Sequence, residues 1–414
     1  MHPVDLRPIA DHDQTQRPTD LFLIFAGANI VATTLQVGAS LPPALGRSAA
    51  LSVIGVGAVG GAGLVALLAP IGSRLRVPSI VATRAVLGYA GAQAVAVLLF
   101  VTNFAWIALN NVIAASISAK LAGALSVATW AILLGVLATA VVLTGPRGAA
   151  LVDRVAVPLL LVCGGIFTIA CLRAPWPVVP SALEHASPGD VVRGLDVVAG
   201  YQVSWLLMFA DYPRYVRSPR SAGWAVFLGL ALTALWFMPL CLIASAVASS
   251  PDPGAMVAAV GIGWWGAALL TLATFTTNFV NIYMSALAFK SLQPASSDRM
   301  GVLLIGAIGA ALGLLSTSWI EWFADLTLFL AGVFVPIGGI LLAHYFVLRS
   351  PVHVPDLYDE RGPYCAHHGW SLPGTAAWVA GAVTFYATQS IGATLPSLIV
   401  SIAVYVMLFR CRGR

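Results

Sequence analysis

Apolar runs long enough to cross a lipid bilayer follow one another along almost the whole of this chain, and no other feature narrows its possible folds as far. A helix needs roughly 20 apolar residues to span the ~30 Å hydrocarbon layer. Windows of that kind can be laid near residues 21–44, 50–70, 92–117, 122–144, 155–174, 194–210, 223–247, 263–289, 301–316, 322–347, 373–390 and 393–409. A bilayer offers no water to backbone amides, so such spans satisfy their own hydrogen bonds as helices. The composition agrees, because 59% hydrophobic and 9% charged residues, with a mean hydropathy of +0.91, leave too little polar surface for a soluble globule of 414 residues. The expectation is an all-α polytopic membrane protein with about 12 transmembrane helices. The first window is not read as a signal peptide, because the tail before it, "MHPVDLRPIADHDQTQRPTD", is polar rather than basic and no small-residue cleavage site follows.

A net charge of +5 is compatible with nucleic-acid binding until the charges are placed. With the N-terminus inside, every basic residue except Arg47, Lys120, Arg173 and Arg193 falls in the tail, the final segment or the inward-facing loops. That is the positive-inside pattern of a membrane protein with both ends in the cytoplasm, and no nucleic acid is expected. The five cysteines are scattered without metal-ligand spacing and read as buried thiols.

One span breaks the apolar rule. "TFTTNFVNIY", residues 274–283, carries three threonines, two asparagines and a tyrosine in ten residues, and polar groups facing lipid are costly. Successive helical residues turn by about 100°, which puts Ala273, Thr276 and Thr277 on one face and Asn278 and Asn281 on a second. Two hydroxyls above a backbone carbonyl suit a dehydrated hard cation, and carboxamides suit a ligand with donors and acceptors on one edge. The competing reading has the threonines bonding back to their own helix and the asparagines joining helices.

The third span, "VTNFAWIALNN", presents Asn103, Trp106 and Asn110 on one face. An indole in mid-span serves either as a stacking platform or as core filler, and Asn103 beside it fits a flat, hydrogen-bonding ligand. In the sixth span Gly200 is followed by Tyr201, Gln202 and Trp205, a second aromatic plane with an amide, or alternatively a packing cluster. No Asp, Glu, Lys or Arg lies near the middle of any span; Asp153, Asp196, Asp211, Glu321 and Asp325 all stand near ends. A proton-coupled carrier generally needs a titratable group within the membrane, whereas sodium is held by carbonyls and hydroxyls. Sodium is therefore the expected coupling ion, with a proton as the alternative.

The third and eighth spans share T-N-F-x-x-I, five helices apart. That is the separation expected of five-plus-five inverted repeats, in which helices one and six are discontinuous. On this reading residues 1–20 form a cytoplasmic tail, 21–174 the first repeat, 175–348 the second, 349–372 a cytoplasmic loop, and 373–414 two further helices with the C-terminal tail.

"TTNFVNIYMSAL", "SWLLMFADYPRYV" and "TNFAW" together resemble the eighth-helix, sixth-helix and third-helix segments of the nucleobase:cation symporter family, the purine, cytosine, hydantoin and hydroxymethylpyrimidine permeases. The resemblance implies alternating access in a bacterial cytoplasmic membrane. It implies a sodium site made by the carbonyls of Gly27, Ile30 and Ala273 and the hydroxyls of Thr276 and Thr277. It also implies a heterocycle stacked on Trp106, bonded by Asn103 and Asn278, and closed by the stretch from Gly200 to Trp205. Asn103 stands where cytosine permeases carry glutamine, Gln202 where they carry an aromatic, and Phe279 where they carry aspartate; "SWLLMFADY" is closer to the hydroxymethylpyrimidine transporters. The expected partners are a small heterocycle and membrane lipid, with the chain acting as a monomer. The rival readings are an amino-acid:sodium symporter of the same architecture and a membrane-embedded enzyme, which would need intramembrane acids, bases or nucleophiles.

Overall fold

The computed structural model describes residues 6–41, 45–122, 125–144, 146–175, 186–314, 322–359, 361–365 and 367–412. Glu321 and the side chain of Asp153 lie outside them. Fourteen α-helices carry the described chain: α1 (Pro18–Asn29), α2 (Ala32–Ala39), α3 (Arg47–Leu75), α4 (Ser79–Ala122), α5 (Val127–Leu143), α6 (Pro146–Arg173), α7 (Pro188–Val203), α8 (Pro219–Ala248), α9 (Pro253–Ala259), α10 (Gly263–Leu292), α11 (Asp298–Leu312), α12 (Phe323–Leu342), α13 (Leu372–Ala387) and α14 (Thr394–Arg412). Their starts are written in the sequence. Ser187, Ser218 and Asp252 each precede a proline and accept a backbone N–H of the first turn, which satisfies a donor that the helix cannot.

Each apolar window falls on a helix or a broken helix. Among the described residues seven helices are by themselves long and apolar enough to cross a membrane, and the bent pair α1 and α2 makes an eighth; α5, at 17 residues, is apolar but shorter.

The first and sixth spans, in which discontinuities were expected, are each interrupted, at Ile30–Val31 and from Ser204, and not at their glycines. Between α1 and α2 the axis bends by 56°, because Val31 is extended at φ −143°, ψ 160°, a conformation that a β-branched residue takes readily. The end of α7 unwinds at Ser204 into short 3-10 turns at Leu206–Met208 and Pro213–Tyr215. A third irregularity is the kink in α4 at Gly88, φ +78°, where the carbonyl of Gly369 leaves no room for a Cβ.

The most extensive helix packing is α10 along α4, followed by α3 against α8 and α7. Both ends of the described chain lie at one end of the bundle. The Tyr358 hydroxyl donates to Leu6 O at 2.6 Å, and Phe409 packs on the His344 ring at 5.7 Å. The same end holds the ion pairs Arg76–Asp11 and Lys290–Asp298, the latter at 2.9 Å. Asp196 of α7 is buried and accepts from the N–H groups of Ala393 and Thr394 (2.7 and 2.9 Å) and from the Thr394 hydroxyl (2.7 Å), thereby capping α14 from another helix. Cys163, Cys171 and Cys241 are buried, but Cys365 is only half-buried and Cys411 is exposed, because they sit in a loop and in a last helical turn beyond the packed bundle.

Candidate substrate and ion site

The two helix breaks meet. The hydroxyl of Tyr201, in the last turn of α7, lies 2.6 Å from Thr34 Oγ1 and 3.2 Å from Thr33 Oγ1, both just past the break between α1 and α2. Beside this junction a narrow cavity is lined by Thr33, Asn103, Trp106, Asn110, Tyr201, Ser204, Trp205, Thr277, Asn281 and Met284. None of these carries a formal charge. Aromatic faces with a few convergent polar atoms are the usual lining of a small-molecule pocket.

Trp106 stands edge-on to Tyr201 and to Phe323, with ring centroids 6.0 Å away in each case, and Phe323 lies 6.1 Å from Tyr201. The three rings brace one another and fix the indole from behind. Hydrogen-bonding capacity is left over at the cavity. Asn110 Oδ1 and Trp205 Nε1 are buried without a partner, and the Asn103 amide makes one long bond, 3.4 Å to Asn281 O. An unpaired buried polar group costs about 1–3 kcal/mol, so a ring offering a donor and an acceptor on one edge would relieve that cost on binding.

The structure gathers Asn103, Trp106, Tyr201, Trp205, Thr277 and Asn281 around the cavity. It places three other expected residues elsewhere. Gly200 faces α12, where a Cβ would lie 2.7 Å from Thr327 O. Gln202 is fully buried against Gly61 of α3, with neither amide atom hydrogen-bonded. Asn278 donates to Asn111 Oδ1 at 2.8 Å, joining α10 to α4 outside the cavity lining. Asn110, on the face expected of Asn103 and Trp106, and Ser204, within the stretch expected to close the site, also line the cavity; Thr33 and Met284 line it without having been expected there, and Phe323 backs it. A signal existed for Asn110, one turn from Trp106 on the same face; Phe323 had none.

The hydroxyls of Thr276 and Thr277 both donate to Ala273 O, at 3.0 and 2.9 Å, which leaves their oxygen lone pairs free. Thr277 Oγ1 also stands 3.5 Å from Ala28 O. The helical ladder of α1 ends with Ile30 N–H donating to Ala26 O and resumes with Leu35 N–H donating to Val31 O. The carbonyls from Gly27 to Ile30 leave the ladder there, and that of Asn29 accepts from the Thr34 hydroxyl. Carbonyls freed by a helix break beside two threonine hydroxyls form the oxygen-rich, uncharged donor set that suits a hard monovalent cation.

Residues 8–408 match the family described as permeases for cytosine/purines, uracil, thiamine and allantoin. YxlA of Bacillus subtilis (strain 168), whose own assignment as a purine-cytosine permease is provisional, is 26% identical over 384 residues, covering 86% of this chain and 82% of that protein. The cytosine permease of Escherichia coli (strain K12) is 26% identical over 222 residues, 52% of this chain and 51% of that one. Among solved structures, the nucleobase-cation-symport-1 family transporter Mhp1, in a closed conformation with bromovinylhydantoin bound, superposes with a TM-score of 0.83 at 16% identity, covering 98% of this chain and 94% of that chain. This likeness shows that the two share a fold.

Proposed function

The chain belongs to the family of permeases for cytosine/purines, uracil, thiamine and allantoin, as an integral membrane transporter and not an enzyme, and from that premise we propose that it imports a neutral planar nucleobase or related heterocycle in symport with sodium, by alternating access. The substrate class is cytosine or another pyrimidine, hydroxymethylpyrimidine or hydantoin. The observation that carries this reading is the uncharged cavity at the junction of two helix breaks, with an indole plane, leftover amide and indole hydrogen-bonding capacity, and Thr277 joining it to the released carbonyls of α1. A zwitterionic amino acid would ask for partners to its carboxylate and ammonium; rings and carboxamides suit a neutral heterocycle better.

In this proposal Trp106 stacks on one face of the ring, while Asn103, Asn110, Asn281 and the Trp205 indole bond its edge. Tyr201 closes the site. Gly200, Gln202 and Asn278 act one layer out, through helix packing. Sodium is held by Thr276, Thr277, the Ala273 carbonyl and the carbonyls between Gly27 and Ile30, of which Ala28 stands nearest Thr277. Twelve crossings follow if α1 with α2, α7 with its 3-10 turns, and each other helix except the short α9 span once. The segments 21–174 and 175–348 are then the two inverted repeats, and the loop 349–372 and both termini lie in the cytoplasm of a bacterium. A thermal-shift panel of pyrimidines, purines and hydantoins on purified protein, with and without sodium, tests this. Stabilisation by a heterocycle that sodium enhances supports it, and stabilisation by amino acids alone refutes it.

A further inference from the structure

A second cleft, open to solvent, lies between the C-terminal end of α3 and the segment after α12, a π-helical turn over Ala343–Val347 followed by residues to Val352. Two arginines, Arg74 and Arg349, line it, and Leu75, Phe346 and Val352 form apolar wall. No carboxylate lines the cleft, and neither arginine is ion-paired among the described residues. Both side chains are exposed at the cleft, so an anion seated there would meet two guanidinium donors suited to charge-assisted, bidentate hydrogen bonds.

Position decides which anion. Along α3 the outward residues Val56, Gly60, Gly63, Leu67 and Pro70 recur every three or four positions, with Val56 64% and Leu67 58% exposed, and Arg74 continues the series. A stripe of this kind in a membrane helix faces lipid. From Val56 to Arg74 is 18 residues, about 27 Å of helix, close to the hydrocarbon thickness of a bilayer. Arg74 therefore stands at head-group level. Beside it, Gly223 of α8 packs against Pro70, and the next residue, Trp224, is 56% exposed, as an interfacial tryptophan is.

The backbone sets where Arg349 stands, as a left-handed turn also does for Arg76 at the end of α3. Arg349 follows the π-helical turn, capped by Leu348, in the left-handed region, φ +49°, with Ser350 N–H closing onto His344 O at 3.1 Å. Glycine is the inexpensive choice at such a position. An arginine there costs conformational energy, and its backbone fixes where the side chain leaves the helix end.

We propose that this cleft binds the phosphate head group of an anionic phospholipid from the adjoining leaflet, with Arg74 and Arg349 clasping the phosphate and the acyl chains lying along the α3 stripe. The site is separate from the substrate cavity and does not depend on which heterocycle is carried.

The test uses full-length protein in nanodiscs of phosphatidylcholine, with phosphatidylglycerol or cardiolipin titrated in. Bound lipid is counted by native mass spectrometry after release into detergent, and unfolding temperature is read in parallel. The wild type should retain anionic lipid preferentially and melt several degrees higher than in phosphatidylcholine alone. Arg74→Gln with Arg349→Gln should lower that retention about tenfold, while Arg74→Lys with Arg349→Lys keeps most of it. The lysine pair also serves if the glutamine pair fails to fold, since its charge still predicts a preference for anionic over zwitterionic lipid. Equal protection by millimolar inorganic phosphate in phosphatidylcholine discs would assign the cleft to a soluble anion and overturn the lipid reading. Undiminished lipid retention by a folded glutamine pair would overturn the site itself.

Discussion

Thr277 of α10 holds its hydroxyl 3.5 Å from the carbonyl of Ala28, at the point where the first helix leaves its own hydrogen-bond ladder. Thr277 also lines the cavity beside the two helix breaks. One side chain thus faces both the place where an ion would be held and the place where a ring would sit, so occupancy of either should be felt by the other.

Trp106→Ala should weaken heterocycle binding at least tenfold, about 1.4 kcal/mol, because stacking contributes about 0.5–1.5 kcal/mol beyond area burial and the lost burial adds to it. Trp106→Phe should recover part of the affinity. Isothermal titration of the monodisperse variants reads this, and unchanged affinity in Trp106→Ala would reduce the indole to core filler.

Tyr201→Phe removes the hydroxyl that Thr33 and Thr34 share. The ring and its packing against Trp106 remain, so the loss isolates the tie between the two broken helices. A fall of about 1–2 kcal/mol in stability, with several-fold weaker substrate affinity, is expected in paired thermal-shift and binding measurements.

Asp196→Asn replaces a carboxylate that accepts three hydrogen bonds at the start of α14 with a neutral amide. Charge-assisted bonds to a helix N-terminus are worth about 1–3 kcal/mol, so the melting temperature should drop. Substrate affinity should hold, because Asp196 does not line the cavity.

Cys411 is an exposed native thiol in the last turn of α14. In intact cells a membrane-impermeant maleimide should leave it unlabelled until the membrane is permeabilised, in a variant whose Cys365 is replaced by serine. Labelling from outside would invert the orientation read from the basic residues.

The helices were largely legible, because apolar length and a proline after a capping residue act locally. The breaks were legible only as belonging to the first and sixth spans; they fall at Val31 and Ser204, while Gly27, Gly38, Gly194 and Gly200 stay helical. The site was legible on one face at a time. Tyr201 and Trp205, four residues apart, turn together toward the cavity. Gly200 and Gln202 flank Tyr201 in sequence, yet the 100° step between neighbours sends them to α12 and α3. The same rotation carries Asn278 to Asn111 while Thr277 and Asn281 face the cavity. A single helix pattern marks a polar face without saying which neighbour meets it, and Phe323, brought in by a distant helix, left no local trace.

The most direct test of sodium coupling is the affinity for a transported heterocycle measured across sodium concentration in the wild type, Thr276→Val and Thr277→Val, with Asn103→Ala as the substrate-side control. Each valine keeps the side-chain shape and removes one oxygen. In the wild type, sodium should tighten binding by 5- to 150-fold, about 1–3 kcal/mol, and substrate should tighten sodium by the same factor. The threonine variants should lose most of that enhancement while keeping their sodium-free affinity, and Asn103→Ala should lose affinity while keeping the enhancement. Full sodium enhancement in both threonine variants would contradict the ion site, and no sodium effect in the wild type would contradict sodium coupling altogether.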